Sequence, residues 1–70
     1  MKTLLDKGQS IQSRRTGKVL KCYCVMPVMR GSSDKIVDYT YHFVNEQNKF
    51  KSIRHHKLSE MINGVWEHIG

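Results

Sequence analysis

Residues 18–26 carry two interleaved apolar sets, Leu20, Cys22, Cys24 and Met26 on one side of an extended chain and Val19, Tyr23 and Val25 with Lys21 on the other. Alternation at period two with apolar residues on both sides predicts a strand that is central in its sheet or strongly curved. Pro27 has no N–H for a ladder, so it predicts a strand end, an edge or a bulge, with Val28 and Met29 resuming pairing briefly. Residues 36–44 predict a second long strand, with Val37, Tyr39, Tyr41 and Phe43 on one face and Ile36, Asp38, Thr40, His42 and Val44 on a mixed, partly solvated one. The polar run between these two, residues 30–35, reads as a turn or loop.

Shorter elements flank this pair. Ile11 stands alone among polar neighbours in residues 10–13, which predicts a short, half-exposed strand. Residues 14–17 then form a hairpin connection that ends on Gly17, a residue free to take positive φ. Residues 45–49 are a polar connection of hairpin length, and residues 50–54 make the last strand, with Phe50 and Ser52 facing opposite to Lys51 and Ile53. Leu4 and Leu5 are the only apolar anchors in residues 1–8, which are expected to be loosely ordered. Short connections fix neighbour order, so the sheet is expected to be an antiparallel meander.

From Lys57 the period changes. Leu58, Met61, Ile62, Val65, Trp66 and Ile69 recur at spacings of three and four, which predicts an amphipathic helix over residues 57–69, packed on the sheet with Leu58, Met61, Ile62, Val65 and Trp66 facing inward. Gly64 inside the pattern keeps a second reading open, in which the helix ends near Asn63 and residues 65–69 form a separate piece.

Together these elements make a single α+β domain over residues 1–70: a small curved antiparallel sheet of three to five strands with one C-terminal amphipathic helix. With Gly8, Gly17 and the Lys18-Val19 start of a long bent strand, the arrangement resembles the small SH3-like barrels, which implies a partly open barrel as the alternative to a simple sheet. The resemblance rests on strand count and turn placement, and no function is carried over from it.

Charge narrows the partner. The 70 residues hold 12 Lys and Arg against 6 Asp and Glu, a formal charge of +6, and such an excess favours a polyanionic partner through the summed surface field. One group, Arg14, Arg15, Lys18 and Lys21, lies in and after the first turn; a second, Lys49, Lys51, Arg54, His55, His56 and Lys57, surrounds the last strand and the helix start. Brought to one face, they would bind the phosphate backbone of DNA or RNA by counterion release. Tyr23 alternates with Lys21 and is the aromatic best placed to stack a base beside those charges. The candidate nucleic-acid-binding residues are therefore Arg14, Arg15, Lys18, Lys21, Tyr23, Lys49, Lys51, Arg54, His55 and Lys57. The competing explanation is that these charges only keep a small protein soluble and its sheet edges protected. A competing partner is a protein, or a second copy of the chain, docked by a sheet edge or by an apolar patch of Met26, Val28, Met29, Met61 and Trp66.

Other chemistries have less to stand on. Cys22 and Cys24, the only cysteines, sit two apart on one strand, where a disulfide between them is disfavoured, so they are expected to be reduced and structural. With His55 and His56 they supply the ligand types zinc prefers, but a one-residue cysteine gap and adjacent histidines are poor spacing for a site, and no metal or cofactor is expected. Neither paired carboxylates nor a Gly-rich phosphate cradle occurs, and the chain is barely long enough to enclose a pocket, so catalysis is not expected. With no apolar run near the ~20 residues of a membrane span and no signal-peptide core in residues 1–15, the chain is expected to be cytoplasmic.

Overall fold

The alternation of residues 18–44 becomes two long paired strands in a computed structural model that describes residues 2–31 and 35–70. Five strands form one antiparallel sheet: β1 (Ser10–Ser13), β2 (Val19–Met29), β3 (Ile36–Asn45), β4 (Phe50–Arg54) and β5 (Trp66–His68), in the order β4-β3-β2-β1-β5. A helix, α1 (His55–Ile62), joins β4 to β5. The first four strands are the expected meander. No pairing joins β4 to β5 among the described residues, so the sheet is open, with those two strands at its edges.

One face of the sheet is the core. Ile11, Leu20, Cys22, Tyr41, Phe43 and Ile53 are buried there, joined by Leu58 from α1 and Leu5 from the N-terminal segment. The cross-strand pairs Ile11–Leu20, Cys22–Phe43 and Tyr41–Ile53 show why: opposed residues in a ladder share a face, and each of these pairs is apolar. Leu5 corrects the expectation of a loose start. The segment is tied down where Gly8 N–H donates to Cys22 O at 2.7 Å, Cys22 N–H donates to Gln9 O at 2.8 Å and Leu4 N–H donates to the Tyr41 hydroxyl at 3.0 Å. Ile11, expected to be half-exposed, is fully buried because β5 covers its other flank and makes β1 an internal strand.

A bulge alters the face assignment of β2. Cys22 opposes Phe43, yet Cys24 opposes His42, so Tyr23 is an extra residue. An inserted residue flips the alternation beyond it. Cys22 is thus buried, Cys24 leaves its face, and Val25, opposite Tyr41, packs against the core while Met26 is exposed. A second shift lies between Val28 and Met29, next to the tip. Residues 27–29 and 36–39 pair beyond the ends of the β1 and β4 ladders, forming a two-stranded arm along a molecule 41 Å in its longest dimension. The turn expected at residues 30–35 falls partly, at 32–34, outside the described residues.

The predicted 57–69 helix is corrected at both ends. It begins at His55 and stops at Ile62, and Trp66–His68 is a strand paired with β1. Leu58, Met61 and Ile62 are the real helical stripe, with Leu58 buried and the other two packed on the core. Val65, Trp66 and Ile69 fit period 3.6 by coincidence, because β-branched and aromatic residues at 65, 66 and 69 suit a strand equally well. The Asn63-Gly64 turn reverses the chain, with Asn63 N–H donating to Ser59 O at 3.0 Å and Gly64 N–H to Met61 O at 3.1 Å. Arg14 then holds the exit: its backbone N–H donates to Val65 O at 2.7 Å and its guanidinium to Gly64 O. Val65, expected inside, is exposed, as is Ile69 of the same stripe, and Trp66, also expected inside, is half-buried opposite Ser13.

Candidate nucleic-acid interface

Two hairpin tips set the positions of the basic residues. In the β1–β2 turn the Ser13 hydroxyl accepts from Arg15 and Thr16 N–H at 3.2 Å each, Gly17 takes φ +74°, and Ser13 N–H donates to Lys18 O at 2.9 Å. The buried Ser13 thus organises a turn that holds Arg14, Arg15 and Lys18 at the surface. In the β3–β4 turn the Asn45 side-chain oxygen accepts from Gln47 and Lys49 N–H at 2.9 Å each, and Asn48 takes φ +61°. β2 starts where β3 ends, Leu20 opposing Asn45, so the two tips lie at the same end of the sheet.

The candidates therefore divide differently from their grouping along the chain. Lys18 and Lys51 line one cleft of about 370 Å³ at that end, together with Trp66, Asn45 and Glu46. Lys51 opposes Phe43, which places it on the core face at its open margin, whereas Lys21 opposes Val44 on the outer face. Arg15 and Lys49 are exposed on the two tips. Arg54, His55 and Lys57 do not join them: Arg54 ends β4, roughly 13 Å along the strand from Phe50 at about 3.3 Å per residue, and His55 and Lys57 follow it in α1. Arg54 pairs with Asp38 at 3.4 Å, and Arg14 is occupied by Gly64.

His55 is also occupied. Its Nδ1 is 2.9 Å from the buried Tyr41 hydroxyl, which already accepts from Leu4, so the network closes when the Tyr41 O–H donates to an unprotonated Nδ1. His55 and His56 lie on a helix and not on a strand, and His56 Nε2 sits 3.3 Å from Glu60 one turn on. No group of three or more His, Cys, Asp or Glu is placed to hold a metal among the described residues. Cys22 and Cys24 are free thiols, and burial pushes the Cys22 thiol above its ordinary 9.0, with the Cys24 thiol adding to the rise.

On the outer face Tyr23, at the bulge, meets residues that the charge pattern alone does not mark. The Tyr23 ring meets Phe50 edge to face, centroids 5.4 Å apart, and lies 6.0 Å from His42. Phe50 is 71% exposed and Tyr23 39%. His42 is steadied by the Ser52 hydroxyl, 2.9 Å from its Nδ1. The signal for Phe50 was present in the alternation of residues 50–54, because a Phe on the face opposite to Ile53 has no core to enter. No helix among the described residues is long and apolar enough to cross a membrane. Compared with known proteins, the chain matches no family model, no curated protein and no solved structure.

Proposed function

We propose that this protein is a non-enzymatic nucleic-acid-binding module whose basic end contacts the phosphate backbone. The observation that supports this most is the convergence of Arg15, Lys18, Lys21, Lys49 and Lys51 around two hairpin tips with none in an ion pair among the described residues, where the ion pairs are Arg54–Asp38 and His56–Glu60. Five cations at one end outnumber the carboxylate of Glu46 beside them and concentrate positive field there, and phosphate contacts of this kind position a ligand without reading its sequence.

The test is fluorescence anisotropy with labelled oligonucleotides at two salt concentrations. Replacing Lys18 or Lys51 by Gln should weaken binding to all sequences alike and lower the salt slope by roughly 0.7–0.9 per lost contact, while Lys57→Gln, on the far side, should change it little. No binding to any oligonucleotide at low salt removes the proposal.

A protein partner is the second reading, favoured by a separate observation: Met29 and Val37 on the two-stranded arm and Met26 at its base are each exposed. Methionines adapt readily to partner surfaces, and a second copy of the chain is the simplest occupant. Sedimentation of the wild type and of Met29→Lys decides it, since a monomer at all concentrations leaves this reading without its homodimer form.

A further inference from the structure

We propose that the outer face of the sheet is a stacking platform for single-stranded nucleic acid, with Phe50 and Tyr23 as the stacking rings and Lys21 as the adjoining phosphate contact. This rests on the nucleic-acid reading above and adds to it a strand class and a place.

Three features point to this face. The core face is covered by α1 and the N-terminal segment, whereas on the other face Phe50 is largely exposed and Tyr23 partly so. Phe50 meets Tyr23 edge to face and lies outside the core cluster, so its ring does not serve the core. The place of Tyr23 is the second feature: the alternation of β2 already gives it the face of Lys21, where its ring lies between His42 and Phe50, and the bulge turns only the residues beyond it. Without the bulge the alternation of β2 would not bring Val25 to the core and Tyr23 to the platform at once.

Charge supplies the third. Lys21, opposite Val44, stands two strands from Phe50 on the same face, and Lys49 precedes Phe50 in the chain. The carboxylates on this face are Asp38, paired with Arg54 at the far end of β3, Glu67, opposite Gln12 two strands from β2, and Glu46, in the exposed turn that borders the depression beside Lys21. Exposed rings next to unpaired lysines suit a ligand with alternating flat apolar faces and negative charges. In a duplex those base faces are buried in the stack, so only an unpaired strand can offer them to Phe50.

Anisotropy with 12-nucleotide single-stranded DNA and RNA and with the matching duplex tests this. Single strands should bind at least about tenfold more tightly than the duplex, and Phe50→Ala should weaken single-strand binding by about 5- to 150-fold with duplex binding unchanged. Phe50→Tyr keeps a ring and should retain most of the affinity; Tyr23→Phe should do likewise, and it avoids the loss of packing that Tyr23→Ala brings. Equal melting temperatures for wild type and Phe50→Ala confirm that the fold is intact. Single-strand binding that ignores Phe50→Ala overturns the platform and leaves backbone binding standing. Failure of every oligonucleotide to bind at low salt removes both readings.

Discussion

Removal of one oxygen from the core, Tyr41→Phe, probes how the N-terminus, the sheet and the helix are held together. The Tyr41 side chain is fully buried, and its hydroxyl both accepts from Leu4 N–H at 3.0 Å and contacts His55 Nδ1 at 2.9 Å. The ring stays in the variant, so no large cavity opens and the change reports on hydrogen bonds. Each bond is worth about 1 kcal/mol net, and a donor left without a partner in a fully buried place costs more, about 1–3 kcal/mol. Leu4 and His55 are only half-buried, and water can reach them in part, which places the expected loss at about 1.5–2 kcal/mol. For a chain of this length the whole margin is about 4–10 kcal/mol, so the loss is a substantial share of it. Urea unfolding followed by the fluorescence of Trp66, the only tryptophan, should show the midpoint lowered by about 1.5 M at a slope near 1 kcal/mol per M. Combined with His55→Ala, the two losses should be less than additive, because each substitution removes the same bond. A midpoint equal to wild type would refute the three-way junction, and full additivity would mean that the histidine and the hydroxyl act separately.

Two further outcomes follow from the same core. Leu58→Ala empties the single fully buried position of α1 and should cost about 3 kcal/mol, whereas Trp66→Ala, in a half-buried strand residue, should cost less than the 3–5 kcal/mol usual for an enclosed tryptophan. Unfolding followed by circular dichroism ranks them, and a larger loss at Trp66 would return that residue to the interior of a longer helix. Alkaline pH should destabilise the fold: burial raises the Cys22 thiol above 9.0 and the Tyr41 hydroxyl above 10.0, so above about pH 9 the unfolded chain releases protons that the folded chain retains. The contribution is fully present below that pH and is lost as pH climbs toward the folded values. Comparing wild type with Cys22→Ala gives the check, since the fall in midpoint above about pH 9 should be smaller in the variant, and an equal fall would assign it to other groups.

Strands β2, β3 and β4 were legible because their alternation is long and their connections are short; Phe43, Tyr41 and Ile53 show a buried face at period two without any help from tertiary structure. The bulge at Tyr23 was not. Nothing local in Cys-Tyr-Cys announces an inserted residue, since the insertion is settled by what Phe43 and His42 oppose on the neighbouring strand. Leu5 and Ile11 were underestimated for a related reason: an isolated apolar residue among polar ones looks half-exposed until it is known that β5 returns to cover it. The length of α1 failed where two periods overlap. Five residues containing Val, Trp and Ile satisfy helical and strand spacing alike, and the pairing of Trp66 with Ser13 decides between them. For the site, residue type was readable and position was not. Lys51 and Arg54 are three apart in sequence, yet they lie on opposite faces and serve different neighbours.

The two faces of the sheet have unequal freedom, and that inequality limits where a ligand can bind. The core face is occupied by Leu58, Met61 and Ile62 from α1 and by Leu4 and Leu5 from the N-terminal segment, so the helix is committed to packing and has no apolar side left for a partner. Its exposed positions include Glu60, engaged with His56, which disfavours an approaching phosphate. The ends of the sheet are unequal as well: the end with both hairpin tips carries unpaired cations, and the opposite end pairs its Arg54 with Asp38 and ties His55 to Tyr41. A polyanion therefore meets the least competition at the β1–β2 and β3–β4 tips, and from there the open path runs across Lys21 to Tyr23 and Phe50. The opposite route, over His55 and Lys57, passes the carboxylates of Asp38 and Glu60, which repel a polyanion. Binding along the first path leaves the core untouched, and that is the physical reason to expect the outer-face variants to lose affinity without losing stability.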